Sequence, residues 1–146
     1  MSEELSLVDS NVLVYALYAD GPHYAVSRAL LESAAQPQAR LCVTSQVLAE
    51  FFSIVTNPRR VSAAQTAEDA AGAVEAILAL PGMIVLPMPV DVPGRWLELL
   101  RQRPVTGGRV FDLQIVATMQ ANDVKRIYTF NRGDFEEFPE MTVLTL

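Results

Sequence analysis

Short apolar runs that recur between helix-like stretches constrain this chain more than any other feature. Leu5 to Asp9, Arg40 to Val43, Met83 to Leu86, Arg126 to Thr129 and Met141 to Leu144 each fit a short buried strand. Between them the apolar positions take helical spacing. Val12 to Leu17, Tyr24 to Ala35, Gln46 to about Thr56 and a stretch from Ser62 or Thr66 to Leu80 read as helices. So do the segment after Asp91 with Trp96, Leu97 and Leu100, and about Val110 to Ala121. Punctuation agrees with this division. Asp9-Ser10-Asn11, Thr44-Ser45, Asp91 and the Thr66/Asp69 pair offer caps, while Gly21-Pro22, Asn57-Pro58 and Pro81-Gly82 are stops. Strands alternating with helices predict an α/β fold, a central parallel sheet of about five strands flanked by helices on both faces. On such a sheet functional groups collect beyond the carboxyl ends of the strands.

The 146 residues fit one domain, 1–146, with enough apolar sequence (51%) and little enough charge (19%) to bury a core without staples. A single cysteine, Cys42, and a single histidine, His23, exclude a disulfide framework within the chain and a structural zinc site. Any metal must therefore sit on oxygen ligands. No apolar run reaches membrane-spanning length, and the Met-Ser-Glu-Glu start lacks the basic flank of a signal peptide, so the expected location is cytoplasmic. Cys42 reads as a strand residue and His23 as a loop residue. The net charge of −6 runs against the basic surface usual for nucleic-acid binders. Carboxylates gathered for a cation contribute to that balance, and the positive charges are arginines except for Lys125, which suits phosphate recognition.

Four acids fall where the fold rule directs attention. Asp9 closes the first strand, where it either caps the next helix or, with Ser10 or Asn11 capping instead, is free for other work. Glu50 lies three residues after Val47 and four before Ile54, on or beside the apolar stripe of its helix. It is either a solvated flank residue or a carboxylate turned inward. Asp112 shares a helix face with Ile115, Val116 and Met119. The helix dipole favours an acid in that first turn but does not explain its apolar companions. Asp134 follows the fourth strand, and with Glu137 it also fits a capping box for a short helical turn. Carboxylates gathered at one edge repel unless a cation holds them, and Mg²⁺ or Mn²⁺ prefers such oxygen donors. Such ions activate water against a phosphodiester. Asn11, Thr129 and Asn131 add neutral hydrogen-bonding groups at the same edge. Arg109, three residues before Asp112, is either a phosphate or carboxylate partner or a plain surface arginine.

Three other phosphoryl-chemistry folds fit less well. Asp9 lacks the acidic neighbour of a response-regulator receiver, Asn11 stands where a haloacid-dehalogenase-type phosphatase needs its second aspartate, and no phosphate-binding glycine loop with a lysine is present. Trp96, Leu97 and Leu100 read as core or dimer surface, not as a base-stacking platform.

In order along the chain, Val8-Asp9-Ser10-Asn11-Val12-Leu13-Val14-Tyr15, Ser45-Gln46-Val47-Leu48-Ala49-Glu50-Phe51, Thr56-Asn57-Pro58 through Val61, Gly107-Gly108-Arg109-Val110-Phe111-Asp112-Leu113-Gln114-Ile115 and Thr129-Phe130-Asn131-Arg132-Gly133-Asp134-Phe135 resemble the PIN-domain proteins of the VapC toxin type. The resemblance spans essentially the whole chain. It implies a PIN-like three-layer domain and a Mg²⁺- or Mn²⁺-dependent endoribonuclease, the toxin of a toxin–antitoxin pair. It further implies a homodimer, a cognate antitoxin partner and an RNA substrate, with tRNA and rRNA as candidate classes. By position, the family's acidic metal ligands fall on Asp9, Glu50, Asp112 and Asp134, and Asn131 matches the polar position of the last motif. Phe111 stands where many relatives have a histidine, which implies altered substrate contacts with metal binding kept. The competing function is a non-catalytic PIN-like module that binds RNA or a partner protein without cutting.

Overall fold

The computed structural model describes residues 4–146; Met1 to Glu3, most of the start read above for a signal peptide, lie outside the described residues. The expected alternation is present as β1 (Ser6–Val8), α1 (Ser10–Tyr15), α2 (Tyr24–Ser33), β2 (Leu41–Val43), α3 (Ser45–Val55), α4 (Ala67–Leu78), β3 (Met83–Val85), α5 (Val92–Gln102), α6 (Arg109–Ala121), β4 (Arg126–Tyr128) and β5 (Thr142–Leu144). Short 3-10 turns occupy Pro37–Ala39 and Arg132–Asp134. The strands form one parallel sheet in the order β3-β2-β1-β4-β5, flanked by helices. Leu7 lies beside Cys42 on one side and Ile127 on the other.

That order fixes where a site can form. The chain winds outward from β1 through β2 to β3, then returns to place β4 on the other side of β1. Strand order therefore reverses at β1, and the crevice of an open parallel sheet opens beyond the carboxyl end of that strand. Asp9 is the next residue. Both central strands are buried along their whole length, Leu7, Val8, Cys42 and Val43 completely, as strands covered on both faces must be. Burial lessens at the β3 edge, where Ile84 and Val85 are exposed. Phe51, Leu13, Leu113, Ile115, Met119, Phe135 and Phe138 fill the space between sheet and helices. α5 and α6 pack on each other, α3 packs on both α1 and α4, and α2 packs on α1. Trp96 joins α5 to α6 by donating its indole N–H to the Val110 carbonyl at 2.8 Å, and Leu100 packs on the core while Leu97 stays exposed. Among the described residues no helix is long and apolar enough to cross a membrane.

Several boundaries differ from those expected, each for a local reason. The strands are three residues long, so Leu5, Arg40, Leu86, Thr129 and Met141 fall outside them. Arg40 takes a left-handed φ of 57°, which ends the preceding turn instead of starting β2. α1 begins at Ser10, α3 at Ser45 and α6 at Arg109, all earlier than the apolar pattern indicates, because polar first-turn residues carry no periodic signal. α1, α2, α3 and α4 also end one to two residues short of the expected limits, at Tyr15, Ser33, Val55 and Leu78. Thr44 and Thr66 cap as expected, accepting from the N–H groups of Val47 at 3.0 Å and Asp69 at 3.1 Å. Asp91 does not: its carboxylate takes the Arg95 Nε at 2.7 Å, one turn on, and leaves the cap unmade.

Gly82 has a clear steric role. Its N–H donates to the Ala34 carbonyl at 2.7 Å, and a Cβ there would run into the Gln36 carbonyl oxygen and stand 2.9 Å from the Ala39 Cβ. These are mostly backbone atoms that cannot rotate away. Gly82→Ala is therefore expected to destabilise the fold by about 1–2 kcal/mol, a Tm loss of roughly 2–8 °C by thermal melting. An unchanged Tm would mean the α2–β2 connection yields freely.

Candidate active site

The site begins with Asp9, which is buried at the end of β1 and both caps and serves. Its Oδ1 accepts from the Ser10 N–H at 2.8 Å, so the residue is the N-cap of α1. Its Oδ2 accepts from Thr129 Oγ1 at 2.8 Å and Asn11 Nδ2 at 3.2 Å. Asn11 is held in turn by Thr129 Oγ1 at 3.2 Å and by the Phe130 N–H, which donates to its Oδ1 at 3.1 Å. The Asn131 N–H donates to Thr129 Oγ1 at 3.0 Å. This network ties the end of β1 to the end of β4, neighbours in the sheet but about 120 residues apart in sequence. The Asp9 carboxylate is thereby locked in orientation.

Asp9, Glu50 and Asp112 line one open cavity of about 510 Å³, with Ser10, Asn11, Gln46, Ser53, Arg60, Phe111 and Asn131 also in its wall. The acids come from the end of β1, the middle of α3 and the first turn of α6. Glu50 is half-buried, which supports the inward alternative for this residue. Asp134 is not in the wall, but its charge acts on both Asp9 and Asp112. Arg109 lies between it and the cavity, with Nε 3.3 Å from Asp112 Oδ2 and 3.8 Å from Asp134 Oδ1, and a terminal nitrogen 3.1 Å from Glu137 Oε1. The capping-box reading of Asp134 with Glu137 is thus corrected. Asp134 ends the 3-10 turn and makes no cap, and Glu137 faces Arg109. Thr129 stands behind Asp9 as its donor instead of facing the cavity.

Burial first, and the neighbouring negative charges second, raise all three carboxyls. Burial pushes the Glu50 carboxyl up to about 7, helped by the charges of Asp9 and Asp112 and opposed by Gln46. Burial also raises Asp112 to about 6, with Asp134 and Asp9 adding to the rise and Arg109 opposing it. Asp9 is raised by burial against the donors from Thr129 and Ser10. Arg109 offsets only part of the rise at Asp112, and among the described residues no positive charge acts on Asp9 or Glu50 to lower them.

Among the described residues no group of three or more such side chains is close enough to hold one cation directly. A Mg²⁺ ion needs only one or two direct carboxylates and keeps several waters, so this oxygen-only set fits a hydrated hard cation. Gln46 adds to that fit: its Oε1 is buried in the cavity wall without a hydrogen-bond partner, while its Nε2 donates to the Phe111 carbonyl at 2.9 Å. That orphan oxygen can accept from a water of such an ion. Sequence reasoning missed Gln46, although it sits one turn before Glu50 on the same face of α3. It also missed Arg60 and Ser53, which carry no pattern of their own. Phe111, expected to alter substrate contacts, is exposed at the mouth of the cavity.

Comparison with known proteins shows the family and the fold. The family model described as PIN domain matches residues 6–141. Ribonuclease VapC13 of Mycobacterium tuberculosis is 32% identical over 134 residues, covering 91% of this chain and 94% of that protein. Ribonuclease VapC43 of the same organism is 43% identical over 79 residues, 54% of each chain, so that match spans about half the relative's length. Two solved structures share the fold. VapC20 of M. tuberculosis, described as a sarcin-ricin loop cleaving toxin, aligns with a TM-score of 0.65 at 17% identity, covering 90% of this chain and 94% of its own. VapBC2 of Rickettsia felis, bound to a promoter DNA fragment, aligns with a TM-score of 0.64 at 19% identity, covering 97% and 98%.

Proposed function

This chain belongs to the PIN domain family, and we propose that it is an endoribonuclease that hydrolyses RNA phosphodiester bonds with the aid of Mg²⁺ or Mn²⁺. The observation that carries the reading is the meeting of Asp9, Glu50 and Asp112, from three separate elements, in one open cavity at the switch point of a parallel sheet. Their burial and mutual repulsion are unfavourable without a cation to offset them.

Asp9, fixed by Thr129, Ser10 and Asn11, is the rigid side of the cation site, and Asp112 and Glu50 approach from two helices. Asp134 completes the acidic ligand set from behind Arg109. Arg109 holds Asp112 and Asp134 near each other and keeps their repulsion in check. The cation, when bound, supplies the charge that activates a water and stabilises the leaving oxygen. Asn131 offers its side-chain amide to the phosphate, Asn11, committed to Asp9, Thr129 and Phe130, fixes the cation site, and Phe111 offers an apolar contact at the mouth. The relatives named VapC ribonucleases, with the likeness to VapC20, a sarcin-ricin loop cleaving toxin, support a ribonuclease toxin of a toxin–antitoxin pair; we assign it to the cytoplasm and to RNA of the tRNA or rRNA class. The likeness to VapBC2 and to a toxin–antitoxin complex of Klebsiella pneumoniae supports a cognate antitoxin as partner, and a homodimer is the assembly we assign.

Incubating the purified protein with total cellular RNA tests this reading. Discrete products that form with Mg²⁺ or Mn²⁺ and vanish with chelator are expected. Intact RNA under every condition would favour the PIN-like module that binds RNA or protein without cutting.

A further inference from the structure

A second cavity adjoins the carboxylate site, and Arg60 stands in the wall of both. It measures about 310 Å³ and is lined by Asn11, Tyr15, Tyr18, Asp20 and Arg60 together with apolar residues. Asn11, Ile54 and Arg60 are common to the two, so they form one continuous trough. Arg60 is exposed and, among the described residues, makes no ion pair. By contrast, Arg28, Arg95, Arg109, Arg126 and Arg132 all face carboxylates. An uncommitted guanidinium beside a phosphodiester-cleaving site has the geometry to hold a phosphate.

The position of Arg60 is built, not incidental. α3 ends at Val55 with Thr56 as its C-cap, and the Asn57 side chain then turns the chain by accepting the Arg59 N–H at 2.9 Å. The Asn57 carbonyl accepts from Arg60 at 2.9 Å and from Val61 at 3.2 Å. The returning strand of this loop is pinned twice, by the Gln65 N–H on the Val55 carbonyl at 2.7 Å and by the Tyr18 hydroxyl on the Ala63 carbonyl at 3.1 Å. The Thr56-Asn57-Pro58 motif, which the catalytic reading leaves without a role, is the device that presents Arg60. Beyond it, Tyr15 and Tyr18 give the second cavity aromatic walls. The Tyr15 ring is fixed edge-on against His23 at 4.8 Å and Phe130 at 5.2 Å. Asp20 closes the far side with a negative charge that repels a second phosphate but accepts from a base amine.

We propose that Arg60 holds the phosphate next to the scissile one, and that the cavity between Tyr15 and Tyr18 takes the base of the adjoining nucleotide of a single-stranded RNA. This rests on the ribonuclease reading above. Single-stranded RNA is held in this way by aromatic walls that accept any base and cations that track the backbone.

The test is fluorescence-anisotropy binding of a labelled, randomised 12-nucleotide RNA pool with Mg²⁺, in the Asp112→Asn background so that the pool is not consumed. Arg60→Ala is expected to weaken binding about tenfold and to reduce the slope of log K against log salt by about 0.7, the signature of one lost phosphate contact on a single strand. Arg60→Lys should keep the slope. Tyr15→Leu should weaken binding without changing it. Arg101→Ala, which removes one exposed charge at the end of α5, should leave both quantities as they were. Arg60→Ala binding with the parent's affinity and slope overturns the inference while the ribonuclease reading stands. A wild-type protein that neither binds the pool nor cleaves RNA overturns both.

Discussion

Replacing Asp112 by asparagine is expected to lower RNA cleavage by about 10³-fold or more while leaving the fold at least as stable at pH 8. The two effects have separate causes. Asparagine keeps the shape of the side chain but removes the charge that attracts a cation, and losing that electrostatic stabilisation costs on the order of 4 kcal/mol in the transition state. Stability moves the other way because Asp112, with its carboxyl raised to about 6, is charged at pH 8 against the preference of its surroundings. Arg109 loses one partner but retains Asp134 and Glu137. Melting the variant beside the parent, with single-turnover cleavage on the same preparations, checks both halves. A variant that loses activity only because it unfolds would remove Asp112 from the chemistry.

Metal-free protein is expected to melt lower at pH 8 than at pH 5, and Mg²⁺ should close the gap. Glu50, Asp112 and Asp9 all bind protons more tightly in the folded chain than in the unfolded one. Between roughly pH 4 and pH 7 the folded state therefore carries more protons, and stability falls as pH rises through that window. The destabilisation is absent below the ordinary carboxylate range and complete above about 7. Because both helical carboxyls are partly screened by solvent and their shared repulsion counts once, the effect between pH 5 and pH 8 is about 2–3 kcal/mol, or roughly 4–12 °C in Tm. Cation binding at pH 8 offsets it by mass action on the folded state. Glu50→Gln should flatten the pH dependence. Equal melting temperatures at the two pH values, indifferent to Mg²⁺, would mean that the carboxylates are solvated and not crowded.

How much of this was legible in the sequence depends on whether the signal is local. Leu7, Val8, Cys42 and Val43 declare buried strands because both faces of a parallel sheet are covered, and Thr44 and Thr66 declare helix starts by an oxygen placed three residues before a needy N–H. Asp9 was visible as a candidate, but capping and site work appeared as alternatives. The structure shows that one oxygen caps and the other is fixed by Thr129 from a distant strand. Long-range partners are what sequence spacing hides. Glu137 fits a capping box with Asp134, yet its partner is Arg109, 28 positions away. The strand order, with β4 beside β1, likewise rests on packing that no spacing encodes. Arg60 and Gln46 matter only through the cavities they line, and Asp91 shows an available ion pair with Arg95 outcompeting a cap.

The measurement that tests the central claim most directly is the chemistry of the ends made when the wild-type protein and Asp112→Asn are given the same RNA, with Mg²⁺ and with chelator. Hydrolysis by water at a carboxylate-held cation predicts linear phosphate monoester ends, formed only with the cation and only by the wild type. Cleavage that persists in chelator, survives in Asp112→Asn or leaves 2′,3′-cyclic phosphates would contradict it.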